Sequence, residues 1–84
     1  MQTPKYYRKK PVEVSAILFE HPDDGSIIAE WCGGTNERSS EHIDIHTLEG
    51  TMTANIGDWV ICGAAGEFYP CKPEVFQQTY EEVQ

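Results

Sequence analysis

The sequence predicts a small α+β domain: an antiparallel β-sheet or partly open barrel of about five strands, with two short helices. Short apolar runs recur along the chain between Gly, Pro and Asp turn residues, and two further segments have helical character. Eighty-four residues form one domain, 1–84, because so short a chain cannot divide its core in two. The apolar fraction of 39% and the aromatic fraction of 11% are typical of a folded chain.

The first predicted strand covers residues 12–19 and begins after Pro11. Its residues alternate at first and become apolar on both faces towards the end, which is typical of a strand that enters a core. One face is predicted to point inward, and it carries Val12, Val14, Ala16 and Leu18.

The run IIAEW at 27–31 predicts a short helix after the turn residues HPDDGS. Asp24 or Ser26 is its candidate N-cap, and Gly33 and Gly34 are expected to end it. Its predicted inner face carries Ile27, Ile28 and Trp31.

Residues 35–41 are polar and without periodicity, which predicts an exposed loop and a candidate for disorder. A hairpin then follows over residues 42–54, with its turn at Glu49 and Gly50 and with Met52 on the returning strand. Three residues of its first strand are expected to face inward: Ile43, Ile45 and Thr47.

Another turn at residues 55–58 leads into a second hairpin over 58–72. Pro70 predicts that the last strand lies at a sheet edge or is bulged, because proline cannot donate to a ladder. Pro73 suits the first turn of a closing helix at 73–80. The side chains predicted to face the sheet from this helix are Val75, Phe76 and Tyr80.

The net charge of −8 argues against generic DNA binding, whose affinity comes from neutralising phosphates with Lys and Arg. Four of the six cations nevertheless cluster near the start, at Lys5, Arg8, Lys9 and Lys10. The negative total therefore hides a local basic patch.

The cellular location is predicted to be cytoplasmic. No apolar stretch approaches the roughly 18 to 20 residues that cross a bilayer, and the start has no signal-peptide pattern. Three cysteines at wide spacings give no disulfide framework, which is typical of a reducing compartment. We expect them to act as small buried side chains, with a reactive or metal-bound thiol as the alternative.

Alternation places His42, Asp44 and His46 on one strand face, and such side chains can ligate zinc or iron. Neighbours on one strand face lie about 6.5 to 7 Å apart and point in parallel, however, so a solvated polar face is the preferred interpretation. The glycines match no phosphate-binding loop, and no nucleophile motif is present. The sequence therefore predicts a binding protein rather than an enzyme, without metal or cofactor.

The segment KYYRKK at 5–10 is the main candidate for ligand contact. Aromatic rings stack on bases and cations meet phosphates, so Tyr7 and the neighbouring cations suit a small nucleotide. The plain alternative is a solvated basic terminus. Trp31 and Tyr69 are candidates for lining a groove or subunit interface, or else belong to the core. Gly33 and Gly34 would let a backbone approach a ligand closely, unless they only stop the helix.

Three segments together resemble a known family: YRKKPVEV at 7–14, AEWCGG at 29–34, and the long run from TLEGTM to TYEEV at 47–83. They are similar to small proteins encoded widely in phage and prophage genomes. The group implied is that of viral sponges, which sequester cyclic dinucleotides or related immune signals of bacterial defence systems such as CBASS without cleaving them. The resemblance also implies a homo-oligomer.

The family pattern carries over to Arg8, Lys9 and Lys10, to Trp31, Gly33 and Gly34, and to Trp59, Glu67, Tyr69 and Lys72. One departure is that Cys62 and Ala65 stand where the pattern often has lysines, which weakens any phosphate contact from that hairpin. The alternative function is a small oligomeric module that binds a host or virion protein through an edge strand or an acidic surface.

Overall fold

The computed structural model describes residues 2–8, 10–36 and 41–83. They form a small α+β fold of five antiparallel strands in two sheets, and these residues close no barrel, which confirms the predicted fold class. The elements in chain order are β1 Ser15–Leu18, α1 Gly25–Cys32, β2 His42–Thr47, β3 Gly50–Asn55, β4 Trp59–Cys62, β5 Phe68–Cys71 and α2 Pro73–Thr79. A 3-10 turn, Pro22–Asp24, leads directly into α1.

The three-stranded sheet has the order β1, β4, β5. The amide of Gly63 donates to the carbonyl of Glu67 at 2.7 Å, and hydrogen-bonded pairs alternate with non-bonded pairs along an antiparallel ladder. Pro70, opposite Val60, therefore belongs to a non-bonded pair, and its nitrogen points away from β4. Pro70 costs the sheet no hydrogen bond, and the predicted edge position of its strand is confirmed.

The second sheet is the hairpin of β2 and β3, in which Ile43 pairs with Ala54 and Ile45 with Met52. Ile43 and Ile45 are fully buried, as predicted. Gly50 has a φ of 121°, a left-handed value that favours glycine at the turn.

The core lies between the two sheets and α1, which packs against β2. It consists of buried apolar side chains, namely Phe19, Ile28, Ala29, Cys32, Ile43, Ile45, Ala54 and Val60. Ile17, Trp31, Ile56 and Phe68 pack around it. In the part of the chain that the structure describes, no helix is long and apolar enough to cross a membrane.

The predicted inner face of the first strand is wrong. The strand begins at Ser15 rather than at residue 12, and Val12 is 54% exposed. Ile17 packs against the core and Phe19 is fully buried, whereas Val14 and Ala16 line a surface groove. The strand is apolar on both faces. Ile17 and Phe19 point into the core because their larger side chains remove more apolar area from water.

Both helices form where predicted, but one inward residue in each was misplaced. Ile27 is 66% exposed, because Ala29 and Cys32 occupy the buried side of α1 together with Ile28. Val75 in α2 is 49% exposed. Gly33 ends α1 with a φ of 68°, as expected.

The structure also differs from two local predictions around α1. The Asp24 carboxylate accepts the amides of Glu20 and His21, so it stabilises the turn before α1 and does not cap the helix. Thr35 was expected in a loop, yet it forms a β-bridge with Asp44. Residues 37–40, at the centre of that predicted loop, lie outside the described residues.

Candidate functional site

Two adjoining grooves lie between the segment 10–14 and the C-terminal helix with its tail. The larger groove, of about 1090 Å³, has an apolar floor and an acidic rim formed by Glu13, Glu81 and Glu82. The smaller groove, of about 380 Å³, is lined by Lys10, Glu67, Tyr69, Tyr80 and the backbone near Gly63, among others. Tyr80 borders both grooves.

The floor of the larger groove is a row of three aromatic rings. Trp59 stacks on Phe76 with ring centroids 3.9 Å apart and planes 8° apart. Phe76 lies 5.0 Å from Tyr80, its neighbour four residues along the chain. Such packing fixes α2 on the sheet and still presents partly exposed rings at the surface.

The smaller groove contains a pair of phenols. The hydroxyl oxygens of Tyr69 and Tyr80 lie 3.2 Å apart. This hydrogen bond, followed by burial, raises the pKa of Tyr69 to about 12. Tyr69 is therefore a neutral phenol near pH 7 and can offer a hydrogen bond or a ring face, but no charge.

The Tyr69–Tyr80 pair predicts a loss of stability at alkaline pH. A pKa raised above the usual value of about 10 means that the folded state holds the Tyr69 proton more tightly, so stability falls as pH rises from about 10 to 12. Tyr80→Phe removes the largest cause of the shift. We expect the urea midpoint of the variant to fall less over this pH range than that of the original chain. A Tyr6→Phe control should behave like the original chain, and identical pH profiles for Tyr80→Phe and the original chain would contradict the coupling.

Lys10 and Tyr69 are the two predicted ligand contacts that the structure brings to one groove. Tyr7 is 88% exposed and Arg8 is also exposed, and neither of them lines either of these two grooves. Lys9 lies outside the described residues.

The remaining predicted contacts lie elsewhere. Trp31 packs edge to face on Phe68 with centroids 5.1 Å apart, beside the core. Lys72 pairs with the buried carboxylate of Asp58 at 3.2 Å.

Gly33 and Gly34 both have structural explanations. Gly33 supplies the left-handed residue that ends α1. A Cβ on Gly34 would collide with the backbone carbonyl of Asp44, where the 35–44 bridge holds the two segments together. The close approach that Gly34 permits is thus one between two parts of this chain.

The polar face of β2 is engaged in hydrogen bonds within the sheet. His46 contacts the Thr35 hydroxyl through Nε2 at 2.9 Å and the Thr51 hydroxyl through Nδ1 at 3.4 Å. Asp44 accepts a hydrogen bond from Thr53 at 3.0 Å. Among the described residues no group of three or more side chains is arranged to hold a metal ion.

Two of the three thiols, those of Cys32 and Cys71, are poor candidates for nucleophiles. Burial raises the pKa of Cys32, and burial together with the nearby Asp58 and Glu74 carboxylates raises the pKa of Cys71. Both thiols are therefore protonated near neutral pH, whereas the thiolate is the reactive form.

Sequence reasoning missed Asp58 and the tyrosine pair. Asp58 is 4% exposed, and its carboxylate accepts the amide of Asn55 at 2.9 Å. A signal was present, since an Asp side chain in a turn can accept a hydrogen bond from a backbone amide three residues earlier. Nothing local could have joined Tyr69 to Tyr80, because α2 separates them.

The fold and grooves define a small α+β domain with open clefts. No protein-family model matches the chain, and no curated protein or solved structure is significantly similar to it.

Proposed function

We propose that this chain is a non-enzymatic protein that captures a small nucleotide in the smaller groove. The proposal rests on one observation: Lys10 and Tyr69, chosen separately from the sequence, line the same groove. The ammonium of Lys10 offers a charge for a phosphate, and the Tyr69 ring offers a face for a base.

Electrostatics favour the smaller groove over the larger one. Three carboxylates, from Glu13, Glu81 and Glu82, surround the larger groove, and none of the cations that the structure describes lines it. A phosphate would be repelled there. In the smaller groove the charge of Lys10 offsets that of Glu67, and the Glu67 carboxylate also accepts the amide of Ala65 at 3.2 Å.

The biological role that we propose is that of a phage-encoded sponge for cyclic dinucleotides or related signals of bacterial defence. The resemblance of segments 7–14, 29–34 and 47–83 to small phage proteins supports this role. Sequestration needs tight binding and no bond cleavage, which agrees with the protonated thiols of Cys32 and Cys71.

Calorimetry against cyclic dinucleotides, cyclic trinucleotides and ADP-ribose derivatives tests the proposal. We expect at least one ligand to bind with a Kd of about 10 μM or tighter, roughly −7 kcal/mol. Lys10→Gln should weaken that binding about tenfold, because it removes the charge that faces the phosphate. The ligand should be recovered unchanged in mass.

The matched control is Lys5→Gln, which removes the same charge outside both grooves. It should leave the affinity within about twofold, a difference of roughly 0.4 kcal/mol. An equal loss in both variants, or no binding anywhere in the panel, would contradict the proposed site.

A second candidate function is a protein-interaction module. The larger groove favours it, because an aromatic floor with an acidic rim suits an extended peptide with apolar and basic side chains. Recovery of one stoichiometric protein partner without a retained nucleotide would support this function over nucleotide capture.

A further inference from the structure

We infer that residues 5–8 of one copy dock in the larger groove of a second copy, so that two chains exchange their basic arms. We call residues 5–8, KYYR, the arm. This inference is independent of nucleotide capture, because it concerns the other groove and needs no ligand.

The arm is apolar and basic but makes little contact with its own chain. Tyr6 is 103% exposed and Tyr7 88% exposed. Two adjacent exposed tyrosines form an apolar patch that is typical of an interaction surface. The radius of gyration is 15.0 Å, whereas a compact chain of this length has about 12 Å. The longest dimension of 55 Å agrees with segments that project from the body.

The larger groove complements the arm in apolar surface and in charge. Its floor carries the partly exposed rings of Trp59, Phe76 and Tyr80, on which tyrosine rings can pack. Its rim carries the carboxylates of Glu81 and Glu82, which can pair with Lys5 and Arg8. The groove therefore offers an apolar surface to the tyrosines of the arm and negative charges to its cations.

The arm of the same chain is badly placed to fill this groove. Residues 11–14 already form one wall of the groove, and the arm lies only a few residues before them. To enter, the chain would have to reverse its direction before this wall, and the exposed tyrosines show that the arm lies outside the groove. A second copy supplies an arm without such a reversal.

An exchange between two copies also engages both arms and both grooves. In a two-fold arrangement each chain gives one arm and accepts one, so that neither groove stays empty. A domain of 84 residues has a thin stability margin, and burial of two tyrosines per chain would add to it.

Two charge-reversed full-length chains test the exchange. The arm variant carries Lys5→Glu and Arg8→Glu, and the groove variant carries Glu81→Lys and Glu82→Lys. By light scattering after size exclusion, without nucleotide, we expect the original chain to be mainly a dimer at about 100 μM, which requires a dimer Kd well below about 100 μM. Each variant alone should be a monomer, because like charges then meet in both contacts. An equal mixture should restore a dimer of one chain of each kind, because both contacts become complementary again.

The control for nonspecific attraction carries Glu30→Lys and Glu49→Lys, two exposed carboxylates outside both grooves. It should stay a dimer alone, and it should pair with the arm variant more weakly than the groove variant does, because only one of the two contacts is then complementary. A monomeric original chain, a dimeric arm variant, or a control that pairs with the arm variant as well as the groove variant does would each overturn the inference. Circular dichroism shows whether every variant is folded. Lys10 is intact in all of them, so nucleotide affinity is measured separately.

Discussion

Phe19→Ala is expected to lower the free energy of unfolding by about 3 to 5 kcal/mol. Phe19 is fully buried in the core. Its amide donates to the Asp58 carbonyl at 2.9 Å and its carbonyl accepts the Gly57 amide at 2.7 Å, so the backbone cannot move to fill the cavity. The whole fold of 84 residues is worth about 4 to 12 kcal/mol, so the variant should be close to unfolding.

Urea denaturation followed by circular dichroism measures this loss. Leu48→Ala is the control, because Leu48 is a large apolar residue at the hairpin turn with 107% exposure. It should change stability by less than about 0.5 kcal/mol. A midpoint for Phe19→Ala equal to that of the control would show that the core is not where we place it.

Asp58→Ala is expected to cost about 1 to 3 kcal/mol, the second largest effect. Its carboxylate accepts the Asn55 amide at 2.9 Å and pairs with Lys72 at 3.2 Å, while the residue itself is 4% exposed. Loss of the carboxylate leaves the Asn55 amide without that acceptor in the turn that precedes β4.

Asp58→Asn separates the two contributions, because it keeps an acceptor oxygen and removes only the charge. The Lys72 side chain is 59% exposed, and exposed ion pairs are worth little. We therefore expect Asp58→Asn to lose less stability than Asp58→Ala in the same urea titration. Equal losses would mean that the ion pair, rather than the backbone hydrogen bond, stabilises the turn.

The strands and helices could be predicted because their signals are local. Alternation gives the hairpin of β2 and β3, paired glycines end α1, and Pro70 identifies an edge strand. Each of these features depends on the stereochemistry of a few consecutive residues. Which side chains of the first strand point into the core was harder to predict, because residues 16–19 are apolar on both sides of the strand. Only packing against α1 and the second sheet places Phe19 in the core.

The candidate site could be predicted only in part, because its grooves are made by segments distant in sequence. Lys10 meets Tyr69 through the packing of the first segment beside the C-terminal helix, which no local pattern encodes. Lys72 was a candidate ligand contact through the family resemblance, yet its ammonium pairs with the Asp58 carboxylate. Trp31, chosen for its place beside two glycines, packs on Phe68 instead.

The orientation of Pro70 bears on how the protein behaves at high concentration. An incoming strand needs a regular row of amide donors along the edge it joins, and the ring nitrogen of Pro70 leaves a gap in the middle of β5. Fibril growth by stacking chain upon chain is hindered at that side of the sheet. Proline thus acts here as a gatekeeper, and it leaves the polarity of the surrounding surface unchanged.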